Sequence, residues 1–174
     1  MKKLYAVIIG LAAGLISVHL LGQLFKGLIA YLALGNDVTI RFSGIRLAVD
    51  FSIGGISNFF LFAVIIVSPF ILSMLFIELS LIWLNRVTND HVRSSIIIFQ
   101  LINIGYLIFT AIIGILSIIL QTAFPTDWSM LLNSSNLSYN QKLIFMFLVL
   151  FILLGYINIL TKRIRKSIPV FSKK

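Results

Sequence analysis

Residues 17 to 27 read SVHLLGQLFKG and place an imidazole and an amide, His19 and Gln23, four positions apart in a strongly apolar stretch. In a helix that spacing puts both side chains on one face, with Gly22 and Lys26 flanking the stripe. A histidine so placed can ligate a metal through a ring nitrogen, carry a proton in a working polar cluster, or hydrogen-bond to a neighbouring helix. Glu78, in MLFIELSLIW, is a second ionisable group within apolar sequence. It suits a proton or cation site, or reaches headgroup water, or pairs with Arg86 two turns further on. Asp127, in PTDWSMLL, is a third candidate, as a carboxylate ligand or as the N-cap of a short interfacial helix beginning at Trp128. Asn58, Asn103 and Asn158 supply single amides to three apolar segments, where the ordinary use of an amide is helix packing.

The surroundings of these groups are lipid. Of 174 residues 60% are hydrophobic and 11% charged, more apolar surface than one soluble core of this size can hide. The expected fold class is an α-helical integral membrane protein: one domain, about four transmembrane helices, and a membrane-associated β-hairpin after the first. The spans are expected at about 4–26, 56–84, 94–120 and 142–160, followed by a basic tail over 161–174. The first contains Gly10 and Gly14, a small-xxx-small pair that admits a close helix neighbour. The second contains Pro69 after Ser68, which predicts a kink or break near its middle.

Between the first two spans the period changes. In NDVTIRFSGIRLAVDF, residues Val38, Ile40 and Phe42 alternate with Thr39 and Arg41. After a Ser-Gly turn signal, Ile45, Leu47, Val49 and Phe51 alternate with Arg46, Ala48 and Asp50. The pattern predicts a hairpin over about 38–51 with one apolar face, lying at the membrane interface or between helices, because its open edges could not face lipid.

The net charge of +9 is distributed in the positive-inside manner rather than as a nucleic-acid patch. Ten Lys and Arg fall at the start, in the 85–93 loop and in the tail, against Lys26, Arg41 and Arg46 on the other side, with Lys142 at the boundary. Both termini are therefore expected in the cytoplasm, with the tail touching anionic lipid headgroups. The chain has no cysteine, which removes disulfides and thiolate metal sites. The opening MKKLYAVIIGLAAGLIS has signal-peptide character, but the apolar run continues past His19 and reads as a retained span.

Taken in order, these pieces resemble the site-2 protease family of intramembrane zinc metalloproteases. That family carries H-E-x-x-H in a membrane helix, then a membrane-associated hairpin, a helix with a Gly-Pro element, and a later Asp that supplies the third zinc ligand. Here HLLGQ stands for the first motif, retaining His19 and Gly22; VSPF stands for the Gly-Pro element, with Ser68 for Gly; and PTDW stands for the Asp motif, with Trp128 for the usual Gly. The resemblance covers roughly residues 8 to 132 and rests on order and spacing. It implies His19, Gln23 and Asp127 as relic metal-site positions. The departures fall on the chemistry. Leu20 stands where the general-base glutamate belongs, and Gln23 replaces the second histidine with a poorer zinc ligand. The family holds its motif and hairpin toward the cytoplasm, whereas the charge count places this hairpin outside.

The expectation is a pseudoprotease with no catalytic residues and no cofactor, zinc being held by His19 and Asp127 only if the relic site works. Its function would be to bind a partner membrane segment as an assembly, immunity or regulatory subunit, through Ile40, Arg41, Phe42, Ile45, Arg46 and Leu47 of the hairpin. The expected partners are the bilayer and a membrane protein or a second copy of the chain. Two other functions stay open. One is a small transporter or channel component using Glu78, His19 and Gln23; the other is residual metalloprotease activity.

Overall fold

Among the described residues, four helices are long and apolar enough to cross a membrane, over residues 4–34, 59–84, 90–119 and 139–166. The structure is a computed structural model that describes residues 2–35, 38–43, 46–51, 59–122 and 126–167. The elements are α1 (Lys2–Leu15), a π-helical segment (Ile16–Leu21), α2 (Gly22–Leu34), β1 (Val38–Ser43), β2 (Arg46–Phe51), α3 (Phe59–Leu84), α4 (Asp90–Ile119), α5 (Asp127–Asn133) and α6 (Tyr139–Ser167).

The first span is longer than its polar residues predicted. It does not stop at Lys26 but continues as α2 to Leu34, where Gly35 takes a positive φ of 68° and its N–H reaches the Tyr31 carbonyl. The π-helical segment around His19 has a structural consequence. One extra residue per turn rotates the helix face by about 100°. Accordingly α1 packs along α4, whereas α2 packs along α3.

Contacts between α1 and α4 advance together along both chains. The Ser95 hydroxyl donates to the Ala6 carbonyl at 2.8 Å, and Asn103 Nδ2 donates to Ser17 Oγ at 3.1 Å. The two helices are therefore parallel, so α1 and α4 start at the same end of the bundle. The last turn of α6 returns to that end, where Arg163 meets Glu78 of α3. At the opposite end lie the close of α2, the two strands, α5 and the start of α6.

Of the kink or break expected at Pro69, the break does not occur: helix α3 runs on through it. Proline removes the N–H that would bond to the carbonyl four residues earlier, here that of Ile65. Ser68 Oγ donates to that same carbonyl at 2.7 Å, and Ser68 is buried. The serine thus replaces the donor that proline removes. Ser68→Ala is expected to lower stability by about 0.6 to 2 kcal/mol. The loss should shrink when Pro69→Ala restores the backbone donor, as read from denaturant unfolding of all four combinations in detergent.

The other boundaries shift by a few residues. The third helix starts at Asp90 rather than 94, because Asn89 caps it by accepting from the N–H groups of His91 and Val92. The fourth runs from Tyr139 to Ser167, so the first part of the basic tail is helical. Residues 56–58, where the second span was expected to begin, lie outside the described residues, as do 168–174.

The strands β1 and β2 pair antiparallel, with Val38 opposite Phe51, Ile40 opposite Val49 and Phe42 opposite Leu47. Val49 is buried and Arg41 exposed. Both strands lie against α2, and β2 also touches the π-helical segment.

The apolar core joins Ile66, Ile77 and Leu81 of α3, Leu107 and Ala111 of α4, and Met146 and Leu153 of α6. Trp128, Leu131 and Leu132 of α5 close it at the strand end.

Candidate functional site

The charged centre of the strand end is an ion pair between Lys26 and Asp127. Lys26 shares the buried face of α2 with Gly22, Gly27 and Ala30, and only 4% of it is exposed. Asp127 is presented by α5. Thr126, not Asp127, is the N-cap: its hydroxyl accepts from the Ser129 N–H at 3.2 Å, while Ser129 Oγ accepts from the Thr126 N–H at 3.3 Å. Asp127 is the first helical residue, where a carboxylate favours the positive end of the helix.

Aromatic packing fixes α5 in place. Trp128 stands edge-on to Phe70 of α3, with ring centroids 5.3 Å apart, and faces Phe145 of α6 at 6.4 Å. A side chain at Gly114 of α4 would collide with Met146 and crowd Trp128, so a glycine there lets α5 seat closely. So held, the Asp127 carboxylate accepts from Lys26 Nζ at 2.5 Å. A buried ammonium is tolerated only when paired.

The residues of the expected relic metal site are not brought together. Asp127 is paired with Lys26, two helical turns from His19. His19 lies exposed on the π-helical segment, and Gln23, just after it, is half-buried. Neither His19 nor Gln23 has a hydrogen-bond partner among the described residues. Among those residues there is also no cluster of three His, Asp or Glu able to hold a metal.

Glu78 pairs across the bundle rather than with Arg86. It accepts from Arg163 at 2.9 and 3.0 Å and from the Tyr156 hydroxyl at 2.9 Å. The side chains of Arg163 and Glu78 are 47% and 35% exposed, so this pair contributes little stability but sets where α6 meets α3.

Asn103 bridges α4 to Ser17 at the edge of the π-helical segment, the packing use expected of an intramembrane amide. Gln100, fully buried, donates to Ser80 of α3 at 3.0 Å. Asn58 and Ile45 lie outside the described residues. Of the other hairpin positions named for partner binding, Arg41 is exposed, and Ile40, Phe42, Arg46 and Leu47 hold places in the strand ladder.

Lys26 is the residue that motif reasoning passed over. The signal was present: a lysine on the His19 stripe, inside a helix that continues for eight more residues, needs an anion. The chain has only five acidic residues, Asp37, Asp50, Glu78, Asp90 and Asp127, to supply one. Comparison with family models, with curated proteins and with solved structures gives no match to this chain.

Proposed function

We propose that the chain is a non-catalytic multi-pass membrane protein that holds a segment of a partner membrane protein at the strand end of its bundle. The observation that supports this best is the Lys26–Asp127 pair. A carboxylate committed to a buried ammonium is not available to a metal, and the ammonium's own charge would repel a cation beside it. In this reading the site-2 protease-like scaffold is kept and its reaction is lost: Leu20 cannot act as a base, Gln23 coordinates poorly, and Asp127 has become a structural anion.

The two strands would form the membrane-associated gripping element. Each has one pairing partner among the described residues, which leaves an edge to which an extended segment can add. The occupant is a partner membrane protein or a second copy of the chain, and the role that of an assembly, immunity or regulatory subunit. Both termini would lie in the cytoplasm, with the tail at anionic headgroups.

The test is a native-detergent pull-down with metal analysis of the same sample. Expected are no stoichiometric zinc and a recovered partner whose yield falls when Ile40→Pro or Leu47→Pro removes a strand donor. Arg41→Gln, which leaves the ladder intact, should be milder. Stoichiometric zinc that disappears in His19→Ala would refute the non-catalytic reading. Undiminished capture by both proline variants would remove the strands from the proposal.

A further inference from the structure

At the opposite end of the bundle, α1, α3 and α4 enclose a cleft of about 850 Å³. Its walls are Ile9 and Ala13 of α1, Phe76, Leu79 and Trp83 of α3, and Ile96 and Phe99 of α4. We propose that this cleft is a binding site for one anionic phospholipid, its acyl chains lying between α1 and α3 and its phosphate at the start of α4. The site is separate from the basic tail and independent of the strand-end reading.

Depth is the first argument. The cleft follows α1 from Tyr5 to Ala13 and α4 from His91 to Phe99. Eight residues of helix rise about 12 Å. Half of a hydrocarbon core is about 15 Å. The cleft is thus one leaflet deep. Below it the bundle shuts, because the π-helical segment that continues α1 touches α3. A transmembrane helix of a partner would need contact along the full span, whereas a lipid occupies one leaflet.

Chemistry is the second. Both serines in the wall have committed their hydroxyl protons, Ser80 to the Ile77 carbonyl and Ser95 to the Ala6 carbonyl. The interior therefore offers hydrocarbon and not hydrogen-bond donors, as an acyl chain requires. Polar and amphipathic groups gather at the mouth instead: Tyr5, Trp83 and His91. Tyrosine and tryptophan prefer the headgroup level.

Charge is the third. Near the mouth lie Arg86, just after α3, and Arg93, in the first turn of α4, with the carboxylate of Asp90. The positive end of the 30-residue helix α4 lies here as well. An anionic headgroup complements this end; a zwitterionic one gains less.

The test uses the chain's two tryptophans. Trp128→Phe leaves Trp83, in the cleft wall, as the reporter. The protein is reconstituted in phosphatidylcholine vesicles in which a minor fraction of lipid carries brominated acyl chains, as phosphatidylglycerol or as phosphatidylcholine. Brominated phosphatidylglycerol is expected to quench Trp83 as though its local mole fraction were about fivefold above bulk, the preference that one basic residue contributes. Ala13→Phe fills the cleft without changing charge and should return quenching to the bulk level for both lipids. The double variant Arg86→Gln with Arg93→Gln should lower the anionic preference and keep the quenching. If Trp128→Phe does not fold, the difference between wild type and Trp83→Phe reports the same signal. Equal quenching by the two lipids, or a preference that survives Ala13→Phe and so comes from surface charge alone, overturns the site.

Discussion

Replacing Asp127 with alanine is expected to destabilise the folded chain by about 3 kcal/mol, the largest loss from any single charge deletion. The reason lies in the asymmetry of the pair. The Lys26 side chain is 5% exposed and that of Asp127 is 23% exposed. Removing Asp127 takes the carboxylate that accepts at 2.5 Å away from an ammonium with almost no access to water. The loss of a carboxylate from the first turn of α5 adds a few tenths of a kcal/mol. Removing the lysine instead, as Lys26→Met, leaves a carboxylate with access to solvent and a well-filled apolar site. That variant should lose only about 1 kcal/mol. The combination Lys26→Met with Asp127→Ala should lie closer to wild type than Asp127→Ala alone, since no charge is then buried. Denaturant titration of helix content in detergent, with the cycle of four proteins, measures the coupling. Additive losses would mean that the two groups do not meet.

The same pair shows how far sequence reasoning reaches. The class of fold was legible, because apolar runs of span length have one physical meaning. So was the close approach marked by Gly10 and Gly14, because small residues at that spacing permit nothing else as economically. The partner of Asp127 was not, for two reasons that belong to this chain. The π-helical segment rotates α2 relative to α1, so a face drawn with a constant period through His19 fails beyond Leu21. In addition, Lys26 resembled the end of a span, and only the continuation of α2 to Leu34 makes it a buried charge. At Pro69 the sequence leaves a kink and a break both open, and the helix does not break. A proline reads as a break unless the preceding serine is recognised as the donor to the carbonyl that proline leaves bare. For Glu78 the sequence offers Arg86 as one partner among the open readings, whereas the hydrogen bonds come from α6, 78 and 85 positions away. Sequence distance carries no information about contacts of that kind.

The second large effect concerns the seam between α1 and α4. A methyl group added at Gly10 would lie 2.6 Å from the Ser95 carbonyl oxygen and 2.9 Å from Ile98 Cβ. One added at Gly14 would lie 2.7 Å from Ile102 Cβ. At Gly10 the obstacle is backbone, which cannot rotate aside, so the helices must separate. Gly10→Ala is therefore expected to lose about 1 to 3 kcal/mol. Gly10→Leu should lose more, because separation also lengthens the Ser95–Ala6 and Asn103–Ser17 hydrogen bonds that cross the same seam. Gly14→Ala meets the side chain of Ile102, its Cβ first, so it should be relieved in part by Ile102→Gly, which removes that atom, whereas no change of side chain removes the Ser95 carbonyl at Gly10. Gly105 and Gly155 provide the control. Nothing lies within 4 Å of a methyl group at either position. Alanine at these two positions should be neutral or should stabilise by about 0.5 kcal/mol through helix propensity. The readout is denaturant unfolding in detergent, with cysteine pairs placed across the seam to report helix separation. A Gly10→Ala protein as stable as Gly105→Ala, with the seam still closed, would show that α1 does not rest on α4 at the Ser95 carbonyl, and the shape of the cleft above it would have to be redrawn.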